Sequence, residues 1–214
     1  MIDSKALAEF FGTATLLLAV VGSSFMAERL TQDSALALLI NATVTAAVLA
    51  LIIRSGVNLS GAHFNPVVTL TALLLGKIKA LEALVYLIAQ VLGAIFGVIL
   101  ANLMFAEVVF SSSSIQRGGV AQLLGEVIAT TGLVFIAFSA RKKHVWKLIP
   151  LWIFGAYFFT VSTSFANPAV TLARFFTEAP AGIAGSSLLG FIAAQLLGAL
   201  LVLAVLRNRE RISR

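Results

Sequence analysis

Six stretches of this chain are long, apolar and nearly free of charge: Phe10–Ala27, Ser34–Ile53, Ala83–Ala106, Gly118–Ala140, Leu148–Ala173 and Ala179–Leu206. Only Glu126 interrupts the fourth. A helix needs about 20 apolar residues to cross roughly 30 Å of hydrocarbon, so each stretch is a candidate span. The fifth changes character near Thr160, where Thr-Val-Ser-Thr-Ser-Phe-Ala-Asn-Pro is polar, so only its first part is expected to cross. Composition closes off the alternatives. Apolar residues make up 60% of the 214 and charged residues only 11%, too few to cover a soluble surface. The net charge of +6 is spread in short clusters between apolar runs, which argues against a nucleic-acid partner. There is no cysteine, hence no disulfide and no thiolate site. The N-terminus lacks the basic region, short apolar core and cleavage site of a signal peptide, so the first run reads as a retained span.

Between the spans lie two polar segments that end in the same dipeptide. Ser60-Gly61-Ala62-His63-Phe64-Asn65-Pro66 leads into Val-Val-Thr-Leu-Thr-Ala-Leu-Leu-Leu, and Phe165-Ala166-Asn167-Pro168 leads into Ala-Val-Thr-Leu-Ala. Asn is a strong N-cap and Pro suits the first helical position, so helices are expected from Asn65 to Leu75 and from Asn167 to about Phe176. At 1.5 Å per residue each spans about 15 Å, half a bilayer. Irregular backbone at membrane depth is tolerated only where it lines a wet cavity or is buried in protein.

The chain also repeats itself. Ala8-Glu9-Phe10-Phe11-Gly12-Thr13 echoes Gly125-Glu126-Val127-Ile128-Ala129-Thr130, His63–Leu70 echoes Phe165–Leu172, and Ala89-Gln90-Val91-Leu92-Gly93-Ala94 echoes Ala194-Gln195-Leu196-Leu197-Gly198-Ala199, in the same order. Each half, about 1–106 and about 118–207 of a single transmembrane domain 1–214, holds three spans and one half-helix. Three is odd, so the second half enters from the opposite face: an inverted-topology repeat. With both termini cytoplasmic, twelve Lys and Arg (5, 54, 77, 79, 141, 142, 143, 147, 207, 209, 211 and 214) fall inside and three (Arg29, Arg117 and Arg174) outside, a positive-inside bias.

Half-helices entering from opposite faces meet at their N-termini, each carrying roughly half a positive charge. The centre of such a path repels cations and hydronium. Asn65 and Asn167 cap their own helices through the side-chain oxygen and leave their NH2 groups free to donate. Loop carbonyls before each Asn supply acceptors.

These motifs resemble the aquaporin, or major intrinsic protein, family over nearly the whole chain. The resemblance implies an all-α membrane fold of six transmembrane helices and two re-entrant half-helices. It further implies a passive channel for water and small neutral solutes, no enzyme activity, no cofactor or metal, and a homotetramer with one pore per subunit. The bilayer is its setting, expected to be a plasma or bacterial inner membrane. At the pore centre the motif covers Asn65, Pro66, Val67, Asn167, Pro168 and Ala169. Val67 departs from the family's usual Ala and is expected to narrow or reshape the centre. The family's outer filter maps onto Thr45, Gly155, Ser164 and Val170. This departs strongly: the last position usually holds Arg, water-selective members usually have Phe and His at the first two, and glycerol facilitators usually carry an aromatic pair plus Arg. Four small uncharged residues imply a wide filter that passes polyols, urea-like amides and metalloid hydroxides such as arsenous acid. Phe158, Phe159 or Phe165 would refill it and leave a strictly water-selective pore.

Other residues carry two readings each. Arg174, four residues beyond Val170, either guards the outer mouth or snorkels to the interface. Glu9 and Glu126, acidic at membrane depth, either accept backbone N–H groups from the re-entrant loops or couple protons in a secondary transporter. Gln90 and Gln195 pin the same loops. His63 either braces the inner loop or gates with pH. Gly93, Gly97, Gly198 and Ala194 permit close helix approach.

Overall fold

The computed structural model describes residues 3–212, with side chains through Asn208. Arg214, and the side chains of Arg209 and Arg211, lie outside the described residues. Eight α-helices are present among them: α1 Ser4–Leu30, α2 Ser34–Gly56, α3 Pro66–Leu74, α4 Ala80–Met104, α5 Val120–Ser139, α6 Val145–Phe159, α7 Pro168–Ala173 and α8 Gly185–Ile212. Five of them (α1, α2, α4, α5 and α8) are long and apolar enough to cross a membrane. The sixth long helix, α6, has 15 residues, about 22 Å at 1.5 Å per residue, and stops at Thr160 where the polar segment begins. Exposed Leu, Ile, Val and Phe side chains are distributed over all six long helices, as expected of a surface solvated by lipid.

The helix starts follow from local chemistry. Asp3 and Asp33 cap α1 and α2 through their carboxylates. Asn65 Oδ1 accepts from Val67 N at 3.0 Å, and Asn167 Oδ1 accepts from Ala169 N at 3.0 Å, with Pro first in each helix. The second half-helix is six residues of α-helix continued by a 3-10 turn, Arg174–Phe176. Both half-helices therefore end within a residue of where the Asn-Pro pattern puts them.

The two repeats pack alike. In each, the first long helix lies against the third, α1 on α4 and α5 on α8. Glycine makes this contact possible. A Cβ on Gly93 would sit 2.2 Å from Phe10 O, one on Gly97 2.2 Å from Ala14 O, and one on Gly198 2.7 Å from Val127 O. The small residues Gly93, Gly97 and Gly198 are thus spent on packing within the protomer. Phe64, from the first re-entrant loop, inserts its ring where a Cβ on Gly12 would lie 2.1 Å away. The equivalent positions in the second repeat are Ala129 and Ala166, so ring and hydrogen have been traded for two methyl groups.

The charge groups sort by end of the bundle. Lys5, Lys77 and Lys142 line one cavity at the start of α1, while Arg117 and Arg174 line another beside its end. Gly93→Ala is expected to force α4 off α1 and destabilise the fold by about 1–3 kcal/mol. This is read as a lowered melting temperature in detergent, with Gly118→Ala, which meets nothing within 4 Å, unchanged.

A central cavity and its candidate filter

The re-entrant loops are irregular because glutamates make them so. Glu9 is fully buried. Its Oε1 accepts from Ser60 Oγ (2.6 Å) and His63 N (3.0 Å), and its Oε2 from Phe64 N (2.6 Å) and Gln90 Nε2 (2.7 Å). Glu126 repeats the pattern on the other loop, accepting from Phe165 N (2.9 Å), Ala166 N (2.9 Å) and Gln195 Nε2 (2.6 Å). Gln90 Nε2 also donates to Thr69 Oγ1 (2.9 Å) and Gln195 Nε2 to Thr171 Oγ1 (2.8 Å). Each carboxylate thus ties a loop to a long helix through charge-assisted bonds, the strong kind. The loops need it: Ala62, Phe64, Thr163, Ser164 and Ala166 all have positive φ, a conformation costing side-chain-bearing residues of order 1–3 kcal/mol each. Neither Glu9 nor Glu126 lines the central cavity, which removes the basis of the proton-coupled reading.

The loops then lock to each other. Asn65 Nδ2 donates to Ala166 O and Asn167 Nδ2 to Phe64 O, both at 2.8 Å. Each asparagine reaches the carbonyl immediately before the other. Of the NH2 groups expected to donate to a passing oxygen, one hydrogen on each amide is committed, with Phe64 O and Ala166 O accepting it from the opposite loop. Val67 and Ala169 are buried and absent from the cavity wall, where Val68 stands instead. The Val67 side chain therefore does not narrow the centre.

A cavity of about 140 Å³ runs past both asparagines. Its wall is built from helix faces with a spacing of four: Thr45, Leu49 and Ile53 on α2, and Val145, Ile149, Ile153 and Tyr157 on α6. Toward the end of α1 its wall is formed by Thr45, Tyr157, Ser164, Phe165, Val170 and Arg174, called the neck below. Three of the four expected filter positions are there. Gly155 is not. It lies two residues off the α6 face that meets the cavity, and a Cβ on it would point at the Phe159 ring, 3.5 Å away. Tyr157, which no sequence argument singled out, takes the place, its hydroxyl 3.2 Å from Thr45 Oγ1. The spacing of four from Ile149 and Ile153 was the signal available.

The aromatic refill is partial. Phe158 and Phe159 are 48% and 55% exposed on the outer surface, whereas Phe165 is 4% exposed and faces the cavity. Arg174 is 3% exposed, which overturns the snorkelling reading. Its Nε donates to Ala181 O, and its guanidinium lies 3.4 Å from the Phe165 ring centroid. It lines both the neck and a vestibule of about 300 Å³ beyond. The neck is therefore neither arginine-free nor made of four small residues. Ser164 Oγ is buried there without a hydrogen-bond partner. His63 borders the cavity at its other end with Nδ1 3.1 Å from Thr69 Oγ1, and its ring meets Tyr86 edge-on at 5.4 Å. No group of His, Cys, Asp or Glu suited to a metal ion occurs among the described residues.

Residues 2–163 match the model of the major intrinsic protein family. The chain is 47% identical to "Aquaglyceroporin AqpS" of Rhizobium meliloti (strain 1021) over 206 residues, covering 95% of this chain and 88% of that one. It is 34% identical to "Probable aquaporin TIP-type" of Medicago truncatula over 161 residues, 69% of this chain and 62% of that one. Among solved structures, the aquaglyceroporin of Plasmodium falciparum superposes with a TM-score of 0.71 at 17% identity, covering 94% of this chain and 93% of the other; at that identity the likeness speaks to fold.

Glu126→Gln would aim an amide NH2 at backbone donors. The expected cost is about 1.5–3 kcal/mol for a lost charge-assisted bond, seen as a lower melting temperature together with reduced water flux.

Proposed function

The chain belongs to the major intrinsic protein family and is an integral, multi-pass membrane channel for water and small neutral solutes; on that premise we propose that its solutes include glycerol-like polyols. The observation that carries this is the chemistry of the neck. It brings two aromatic side chains, Tyr157 and Phe165, together with polar groups: the unpartnered Ser164 hydroxyl, the Thr45 hydroxyl beside Tyr157 OH, and the Arg174 guanidinium with N–H groups beyond the one given to Ala181 O. A polyol has a carbon edge and a hydroxyl edge, and such a ring suits both. An aromatic pair with an arginine is the pattern described for glycerol facilitators, assembled here from other positions. The likeness to the Rhizobium relative, an aquaglyceroporin, supports the same reading. Urea and metalloid hydroxides, neutral and of similar size, fall within it.

Phe165 and Tyr157 also favour a second reading, a pore too narrow for anything but water. Orientation with both termini cytoplasmic, in a plasma or bacterial inner membrane, is supported by the twelve-to-three charge bias. Family membership supports a homotetramer. Arg174 is assigned the guard of the outer mouth, and Asn65 and Asn167 the centre.

Swelling of proteoliposomes decides between the readings. Glycerol, urea and arsenite uptake alongside water is expected, and Ser164→Ala should lower glycerol flux relative to water about fivefold, the worth of one hydrogen bond near 1 kcal/mol. Water flux with no uptake of the three solutes would establish the narrow pore.

A further inference from the structure

The segment joining the two repeats does more than connect them. It runs alongside the stretch that follows α7: Ser113 N donates to Phe175 O (2.8 Å), Ala184 N to Ile115 O (2.7 Å), and Arg117 N to Ser187 Oγ (2.9 Å). Ser114 adds bonds from N and Oγ to the exposed Glu178 carboxylate. At its end the Arg117 side chain turns back over the vestibule. Its Nε donates to Gly182 O (2.7 Å) and its Nη2 to Pro180 O (2.9 Å), a fork that holds two carbonyls on either side of Ala181, whose own carbonyl holds Arg174. The Arg117 guanidinium also lies 5.1 Å from the centroid of the Phe165 ring, the ring that Arg174 packs against at 3.4 Å and that Phe191 backs edge-on at 5.1 Å. Neither guanidinium has a carboxylate in ion-pair reach among the described residues. What binds them is carbonyl oxygen and the face of an aromatic ring, both geometrically exacting for a planar fork.

We infer that Arg117 is a specificity-determining positioning residue: it lies outside the neck, yet by gripping the 180–182 carbonyls and the Phe165 ring it sets how far Phe165 and Arg174 close the path. The inference rests on the reading of the neck as the selective element. The only covalent link between the repeats thereby supports the filter wall of the second.

The test is a ratio rather than a flux. Proteoliposomes carrying wild type, Arg117→Ala, Arg117→Lys and Ser114→Ala are compared for uptake of erythritol, bulkier than glycerol, relative to water. Arg117→Ala frees the ring and should raise the erythritol-to-water ratio by roughly threefold to tenfold, the scale on which small changes in pocket size discriminate solutes. Arg117→Lys keeps the charge but not the fork and should move the same way by less. Ser114→Ala removes a bond from the same segment without touching the ring and should leave the ratio at the wild-type value. An unchanged ratio in both Arg117 variants, or a parallel fall of erythritol and water, overturns the inference; should Arg117→Ala not fold, the Lys variant alone decides it. A wild type that passes water only would sink the polyol reading, and erythritol uptake gained in Arg117→Ala would still uphold the role of Arg117.

Discussion

Everything in this channel depends on satisfying irregular backbone in the middle of a hydrocarbon layer. Lipid supplies no hydrogen bonds, and an unpaired peptide group there costs several kcal/mol. The solution is a buried carboxylate for each loop. Glu9 and Glu126 each take two consecutive loop N–H groups and one glutamine amide. Charge is expensive in such a place, and these donors are what make it tolerable. With the loops held, their asparagines face each other closely enough to exchange bonds with the opposite loop. The reciprocal tie fixes the two half-helix N-termini at one point, and the positive ends of their dipoles with it.

Outside this shared centre the cavity wall proposed as the filter is built from pieces of different origin. Tyr157 comes from the end of α6, Phe165 from the second re-entrant loop, and Arg174 from the 3-10 turn after α7. A guanidinium missing at Val170 reappears four residues later, with its side chain directed back toward the neck over Phe165. On the proposed reading, the parts of a filter, a fixed cation, aromatic rings and a few hydroxyls, are kept while the positions that supply them change.

What the sequence makes legible is what one helix period or one dipeptide can encode. The spans, the two half-helices and the symmetric placing of Glu9 and Gln90 with Glu126 and Gln195 at the loops follow from apolar length, Asn-Pro capping and internal repetition. The filter does not, because it depends on where α6 turns its faces and on side-chain reach. Counting back from Asn167 selects Gly155, but the α6 face that meets the cavity carries Tyr157, four residues on from Ile153. The length of an arginine side chain lets Arg174 act one helical turn from its own Cα, and nothing local to residue 174 says whether it points toward lipid or toward the path. The grip of Arg117 on 180–182 is a contact across more than sixty residues, beyond any local pattern.

The absence of cysteine allows the central claim to be tested without background. Ser164→Cys places a thiol at the neck, and Phe158→Cys places one on the outer surface. If a wet path passes between the paired half-helices and through this neck, a mercurial should block water flux in the Ser164 variant, with reversal by a reducing thiol, and leave the Phe158 variant and the wild type conducting. Undiminished flux through a fully mercurated Ser164→Cys channel would mean that water crosses somewhere else.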